Sequence, residues 1–181
     1  MSHPLWVGLF RGVNVGGNNK LPMKELAKMM ENLGFADAKT YIASGNILFR
    51  SDLPESDIEA KIGDGIEKTF GFRPSLFLIT LKHLEKVLAE NPYKDHQHKG
   101  KAQHVFFFKA PPAKVDRALM DSLKADSEAY TVTDELMYFY APDGIGRSVL
   151  IEKLGRAIKA DMTARNLNTV ETLRDMAKDM G

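Results

Sequence analysis

The chain has 181 residues, of which 44% are apolar and 27% charged, a composition typical of a folded globular protein. Its 25 lysines and arginines nearly balance its 24 aspartates and glutamates, so no overall field attracts it to a phosphate backbone or an anionic membrane, and any nucleic acid must be bound locally. Cysteine is absent, which excludes disulfides and thiolate ligands and favours a reducing compartment. Residues 1–12 lack a signal-peptide pattern and no run approaches the roughly 18 apolar residues of a membrane span, so we expect a cytoplasmic protein.

The first 80 residues predict the element order β-α-β-β-α-β from their apolar spacing and turn signals. The predicted strands are residues 5–10, 38–43, 47–50 and 74–80, and the predicted helices are residues 22–33 and 54–70. Ser44-Gly45-Asn46 forms the turn between the second and third strands, and Asp52 is the expected N-cap of the second helix. This order is that of the split βαβ, or ferredoxin-like, motif.

The second half partly repeats this pattern. After a linking helix at 80–90, capped by Thr80, we expect a strand at 103–108, a helix at 113–124, strands at 128–133 and 136–141, and two closing helices. The predicted fold is therefore α+β, with two ferredoxin-like (βαββ-type) subdomains at 1–90 and 91–181 and extra C-terminal helices. The polar loop 91–102 is the expected boundary, and a single compact unit is the alternative.

The loop from Arg11 to Lys20 is rich in glycine and asparagine and lies between a strand and a helix. Backbone amides at such a junction, with the helix dipole, favour a bound anion, to which Arg11 and Lys20 add charge. The loop matches neither the dinucleotide fingerprint nor the phosphate loop, because Asn18 follows Gly17. A tight turn that uses Gly16 and Gly17 for their dihedral angles is the alternative.

If the first half is ferredoxin-like, the turn at 44–46 lies beside this loop, so that Arg11, Asn14, Ser44 and Asn46 converge. The set offers donors and amides but no carboxylate pair and no nucleophile with a base. It therefore suits recognition better than acid–base catalysis. Plain turn chemistry is the competing interpretation.

Two later segments are also candidates. Residues 138–148 run from a strand through a glycine turn into a helix and form a second candidate anion site. Asp143 is the one acid in these glycine loops, so it is the candidate general base or metal ligand there, and an Asp-Gly turn is the alternative. In residues 163–170, Asn168 is the expected N-cap of the last helix, with Glu171 as its partner. Arg165 and Asn166 then either tie that helix to the body or face a ligand.

Histidines in the polar loop suggest zinc only weakly. His96, His98 and His104 with Asp95 are possible ligands by residue type, but their spacing is not specific and a solvated loop is the better interpretation. We therefore predict no metal and no cofactor. Phe106, Phe107 and Phe108 alternate faces of a strand and are expected to fill a core covered on both sides.

Five ordered segments resemble the bacterial family called domain of unknown function 1697. They are Arg11-Gly-Val-Asn-Val-Gly-Gly17, Leu33-Gly-Phe35, Thr40-Tyr-Ile-Ala-Ser-Gly-Asn46, Asp143-Gly-Ile-Gly-Arg-Ser148 and Thr163-Ala-Arg-Asn-Leu-Asn-Thr-Val170. Leu167 departs from the tryptophan of many members, which removes any stacking role there. The resemblance implies a soluble α+β protein and supplies no reaction, cofactor or catalytic residue.

Three functions remain open from the sequence. The first is binding of a phosphate-bearing ligand, a nucleotide or nucleic acid, through Arg11, Asn14, Gly16, Gly17, Lys20, Ser44, Asn46, Arg165 and Asn166. The second is an enzyme acting on an anionic small molecule, with Asp143 as base or metal ligand. The third is a protein-interaction module in which the motifs only brace the fold.

Overall fold

The computed structural model describes residues 3–96 and 100–181. Contacts within the chain divide it into two compact units. The first unit contains the residues through Glu85 together with Leu173–Gly181, and the second contains Lys86–Thr172.

The first unit is built on a four-stranded antiparallel sheet. Its elements are β1 (Leu5–Phe10), α1 (Met23–Asn32), β2 (Ala36–Tyr41), β3 (Asn46–Arg50), α2 (Glu55–Phe70), β4 (Leu76–Thr80) and the start of α3 (Leu81–Ala89). The strand order is β2-β3-β1-β4. The loop after β1 and the turn between β2 and β3 therefore lie at the same end of the sheet, because β1 and β3 are adjacent and antiparallel.

One face of this sheet carries the core. On α2, Ile58, Ile62 and Ile66 are fully buried at i, i+4 spacing and pack with Phe10 and Phe49 of the sheet. Helix α1 adds Leu26 and Met30, also fully buried, to the same cluster. The opposite face is buried as well: Val7, Leu9 and Leu48 have no exposed surface.

The second unit has the corresponding strand order, β10-β5-β8-β7. Its elements are β5 (Gln103–Phe108), β6 (Lys114–Val115), α4 (Arg117–Leu123), β7 (Ala129–Val132), β8 (Leu136–Tyr140), α5 (Val149–Glu152), α6 (Leu154–Ala157), β9 (Ile158–Lys159), β10 (Met162–Asn166) and α7 (Leu167–Met180), with 3-10 turns at Gly100–Ala102 and Ile145–Arg147. Phe106, Phe107 and Phe108 are all buried, on alternate faces of β5, as predicted.

Three strands of the second unit, β6, β9 and β10, were missed by the sequence prediction. β10 completes the sheet beside β5, but its residues, MTARN, form no apolar run, so the segment was interpreted as a lead into the last helix. The predicted helix at 113–124 begins only at Arg117, because Lys114 and Val115 pair with Lys159 and Ile158. Asp116 then caps α4 by accepting the Leu119 amide at 3.0 Å.

Of the two helix caps predicted in the first 90 residues, Thr80 is observed and Asp52 is wrong. Thr80 accepts the His83 amide through its hydroxyl at 3.2 Å and caps α3. Asp52 does not cap α2, which begins at Glu55 after Pro54. Its carboxylate instead lies 3.4 Å from His3 Nδ1.

The contacts place the unit bounds elsewhere than residues 90 and 91. Residues 86–90 belong to the second unit, and Leu173–Gly181, the end of α7, belongs to the first. Two contacts explain the second difference. Arg50 donates to the Met180 carbonyl, and Lys178 Nζ lies 3.2 Å from Glu85 Oε1.

We expect Gly45→Ala to destabilise the protein more than Gly16→Ala. Both glycines have positive φ, +87° and +59°, so each alanine incurs about 1–2 kcal/mol of left-handed strain. At Gly45 the added Cβ would also overlap Val13 Cγ2 and lie 3.1 Å from Phe10 Cβ, whereas nothing lies within 4 Å at Gly16. Overpacking adds about 1–3 kcal/mol. Urea unfolding of both variants measures the difference, and equal losses would contradict the close packing at Gly45.

Candidate functional site

The glycine-rich loop of the first unit forms a small hairpin. The Asn14 amide donates to the Asn19 carbonyl and the Asn18 amide to the Val15 carbonyl, each at 3.0 Å. Gly16 and Gly17, at φ +59° and +79°, occupy the two central positions that need positive φ in a type I′ turn. The glycines are thus explained by turn geometry, and the hairpin tip is exposed.

The side chain of Asn14 joins this hairpin to the turn between β2 and β3. Its Nδ2 donates to the Ala43 carbonyl at 2.8 Å and to the Leu21 carbonyl at 3.0 Å. Its Oδ1 accepts the Leu21 amide at 2.7 Å. One amide therefore holds both ends of the loop and the neighbouring turn together. We call the hairpin 14–19 and the turn 41–46 the joined turns.

The turn 41–46 is fixed from inside by Asn46, which is fully buried. Its Nδ2 donates to the Tyr41 carbonyl at 2.8 Å and to Ser44 Oγ at 3.0 Å. The Gly45 carbonyl accepts the Phe10 amide at 2.8 Å, which extends the pairing of β1. Arg11, Asn14, Ser44 and Asn46 are therefore brought to one end of the sheet, and the two asparagines act there as braces.

Ile42, which the sequence analysis did not select, is the strained residue of this turn. It has φ +49°, a left-handed conformation that costs a β-branched residue about 1–2 kcal/mol. The carbonyls on either side of it, of Tyr41 and Ala43, are held by Asn46 and Asn14. Its side chain is nonetheless 48% exposed, and that of Val15 in the hairpin is 64% exposed.

The charge around the joined turns is positive. Arg11 and Lys20 are exposed, and residues 3–24 and 38–51 contain no aspartate or glutamate. Helix α1 follows at Met23 with no side-chain cap, and its first acid is Glu25. These two segments therefore contribute positive charge and no negative charge to the surface, which favours an anion there.

The second glycine loop, in the second unit, has a different construction. Pro142 and Asp143 form a turn closed by the Gly144 amide, which donates to the Ala141 carbonyl at 3.0 Å. The Asp143 carboxylate accepts the Ser127 hydroxyl at 2.6 Å and is exposed. Ser148 caps α5, a helix of four residues, so the helix dipole there is short.

The structure corrects the cap of the last helix. Asn166, not Asn168, is the cap: its Oδ1 accepts the Thr169 amide at 2.9 Å, because β10 continues to Asn166 and α7 begins one residue later. Asn168 lies inside α7, where its side chain occupies the space beside Gly100.

Arg165, on β10, is 6% exposed. Its Nη1 donates to Thr163 Oγ1 at 2.9 Å and to the Ala164 carbonyl at 2.8 Å. Burial lowers the pKa of its guanidinium to about 10. Both acceptors belong to β10 itself, and the burial of Arg165 favours a structural role over direct contact with a ligand.

The predicted zinc candidates are not assembled in the described residues. His98 lies outside them, and within 3–96 and 100–181 no three histidine or carboxylate side chains come together as metal ligands. His96 instead packs edge-on against Tyr140, with ring centroids 4.7 Å apart, and against Tyr93. His104, on β5, is half-buried, and its buried Nδ1 has no hydrogen-bond partner among the described residues.

A cavity of about 480 Å³ in the first unit is lined by Glu31, Asp37, Ala38, Lys39 and Met180. None of the predicted site residues lines it. Its mixed charges, two carboxylates and one ammonium, give it no clear preference for an anion.

The architecture and the joined turns define an α+β protein with two four-stranded antiparallel sheets of corresponding strand order. In the described ranges, no helix combines the length and apolar character needed to cross a bilayer. The chain belongs to the family described as "Protein of unknown function (DUF1697)", whose sequence model matches residues 4–138. The resemblance inferred from the motifs is confirmed. The matched range includes both joined turns and ends before Asp143, Arg165 and Asn166.

Among solved structures, the chain is similar to the conserved bacterial protein SP0830 from Streptococcus pneumoniae. The TM-score is 0.74 at 24% identity, over 96% of this chain and 98% of that chain. At this identity the likeness concerns the fold alone. Comparison with curated proteins gave no match.

We expect the stability of the protein to fall in acid because of His104. Burial lowers the pKa of its imidazole to about 4 from 6.5, so the unfolded chain takes up the proton first as the pH falls. The stabilisation is complete above pH 6.5 and is lost progressively between 6.5 and 4, by up to about 3 kcal/mol. Urea unfolding at pH 7, 6, 5 and 4 measures this loss. His104→Phe should flatten the dependence, and unchanged curves for that variant would contradict the assignment.

Proposed function

We propose that the protein binds a phosphate-bearing ligand, a nucleotide or a nucleic acid, at the joined turns of the first unit. The observation that carries this proposal is the 2.8 Å hydrogen bond from Asn14 Nδ2 to the Ala43 carbonyl. That bond brings two exposed turns together in segments that contain Arg11 and Lys20 and lack any acid. An anion near them meets the positive charge of Arg11 and Lys20 and exposed backbone.

Within this site we divide the predicted residues by role. Asn14 and Asn46 use their side-chain amides on backbone carbonyls of the turns, so they position the site. Arg11 and Lys20 supply charge to phosphate oxygens, and Ser44 and the exposed backbone of Gly16 and Gly17 supply polar contacts. Asp143, Arg165 and Asn166 belong to the second unit, and we do not include them in this site.

The enzymatic alternative has weaker support. It needs a second acid or a histidine beside Asp143, and the contact of that carboxylate is the Ser127 hydroxyl. A serine hydroxyl is neither of these groups, so this contact does not supply the second catalytic group. We therefore assign no reaction to the protein.

We also propose a classification and a compartment. The element order of the first unit and the strand order shared by both sheets support ferredoxin-like subdomains. The absence of cysteine suits the cytoplasm.

The proposal is tested by titrating the full chain with nucleotides, sugar phosphates and short RNA and DNA oligomers, followed by fluorescence anisotropy or calorimetry. Arg11→Ala and Lys20→Ala should each weaken binding while the melting temperature stays constant. For a single-stranded oligomer, each should lower the slope of log affinity against log salt by about 0.7, the value for one lost phosphate contact.

The matched control is Lys68→Ala, which removes an exposed charge in the last turn of α2. It should leave affinity and salt slope near those of the wild type. If Arg11→Ala and Lys20→Ala bind like Lys68→Ala, the joined turns are not the site. If the wild type binds no member of the panel, the proposed function is wrong.

A further inference from the structure

The strained residue Ile42 presents an apolar side chain to solvent. Asn46 and Asn14 hold the carbonyls of the residues on both sides of it. The carbonyl of Ile42 accepts the Gly45 amide at 3.4 Å. A residue with positive φ persists only where its surroundings fix it, and such strain clusters at binding sites. The strain does not serve to bury Ile42, because 48% of it remains exposed.

Exposed apolar side chains are concentrated in the joined turns. In the described part of the chain three large apolar residues are strongly exposed, Val15, Ile42 and Val149, and two of them lie in these turns. Val15 and Ile42 belong to segments that Asn14 connects through Leu21 and Ala43. Exposed apolar groups on two connected turns, in segments that also hold cations, can form part of a contact surface.

This end of the first sheet therefore offers two chemistries. Arg11 and Lys20, which flank the hairpin 14–19 in the sequence, suit anions, and residues 3–24 and 38–51 contain no acid. Ile42 and Val15 suit a flat or apolar group. A simple phosphate or a sugar phosphate uses only the first chemistry. A chain of nucleotides uses both, because it repeats a phosphate and a base at short intervals.

We propose that the joined turns bind single-stranded nucleic acid, with Ile42 and Val15 against the bases and Arg11 and Lys20 on the phosphates. This inference rests on the proposed function and names its ligand class. Single strands present the faces of their bases, which a duplex hides in its stack, and apolar side chains can cover those faces. The hydrogen bonds that hold Ile42 in place reduce the ordering that binding would otherwise require.

The test compares the full-length wild type with Ile42→Asn, Val15→Ser and Val149→Ser. The probes are a single-stranded oligonucleotide of about ten nucleotides, within the usual site size, and inorganic polyphosphate, which has the same charges without bases. We expect Ile42→Asn and Val15→Ser to bind the oligonucleotide about fivefold or more weakly and to bind polyphosphate like the wild type. Val149→Ser, an exposed valine of the second unit, should bind both probes normally.

Melting temperature separates recognition from structure. Asparagine tolerates the left-handed region better than isoleucine, so Ile42→Asn should not lower the melting temperature and should raise it by about 1–3 °C. A loss of binding together with a higher melting temperature is the expected result. A lower melting temperature would mean that Ile42 is a packing residue and would overturn the inference.

The remaining outcomes are distinct. If Arg11→Ala weakens oligonucleotide binding and Ile42→Asn does not, the inference fails and the proposed function stands. If Ile42→Asn and Val15→Ser lose as much affinity for polyphosphate as for the oligonucleotide, these residues do not contact bases and the inference fails. If poly-glutamate competes as effectively as the unlabelled oligonucleotide, the inference is wrong and the surface binds an acidic protein partner. A wild type that binds neither probe nor any nucleotide overturns both proposals.

Discussion

The side-chain amide of Asn14 forms hydrogen bonds with two separate stretches of backbone, Leu21 at the end of its own loop and Ala43 in the turn between β2 and β3. The loop after β1 and this turn meet because β1 and β3 are adjacent and antiparallel, but sheet pairing alone does not fix loops that extend beyond it. A buried or half-buried amide that satisfies backbone groups on both sides does so, since each group left unsatisfied would cost about 1–3 kcal/mol. The surface at this end of the sheet depends on that bond.

The backbone of this end is unusual for its density of left-handed residues. Gly12, Asn14, Gly16, Gly17, Asn19, Ile42 and Gly45 all have positive φ. Glycine and asparagine adopt such angles at little cost, which explains why the loop 11–20 and the turn 41–46 are rich in these residues. Ile42 is the exception. Hydrogen bonds from Asn14 and Asn46 to the carbonyls of Ala43 and Tyr41 hold it in this conformation. The arrangement is rigid because turn geometry and side-chain amides impose the same conformation independently.

The sequence was most informative where periodicity or turn chemistry was strong. The isoleucines of α2 at i, i+4 spacing and the aromatic residues of β5 correctly predicted a helix and a strand and their buried side chains. Ser44-Gly45-Asn46 correctly predicted the turn between β2 and β3. β10 was missed because MTARN owes its conformation to pairing with β5, a contact 50 or more residues away in sequence. Asn168 was mistaken for the cap in place of Asn166 for the same reason, since the missing strand hid where α7 begins. Ile42 could not be recognised, because nothing in the sequence assigns a positive φ to isoleucine.

The last residues of the chain have a consequence for the order in which the protein forms during synthesis. Arg50 lies near the end of β3, and one of its hydrogen-bond acceptors is the carbonyl of Met180, 130 residues later. A ribosome adding about 5–20 residues per second needs roughly 7 to 26 seconds to add those residues. The first sheet can pair early, but the guanidinium of Arg50 reaches this acceptor only when the end of α7 has emerged. Nascent chains halted before that segment should therefore hold an N-terminal sheet in which the guanidinium of Arg50 still lacks this acceptor.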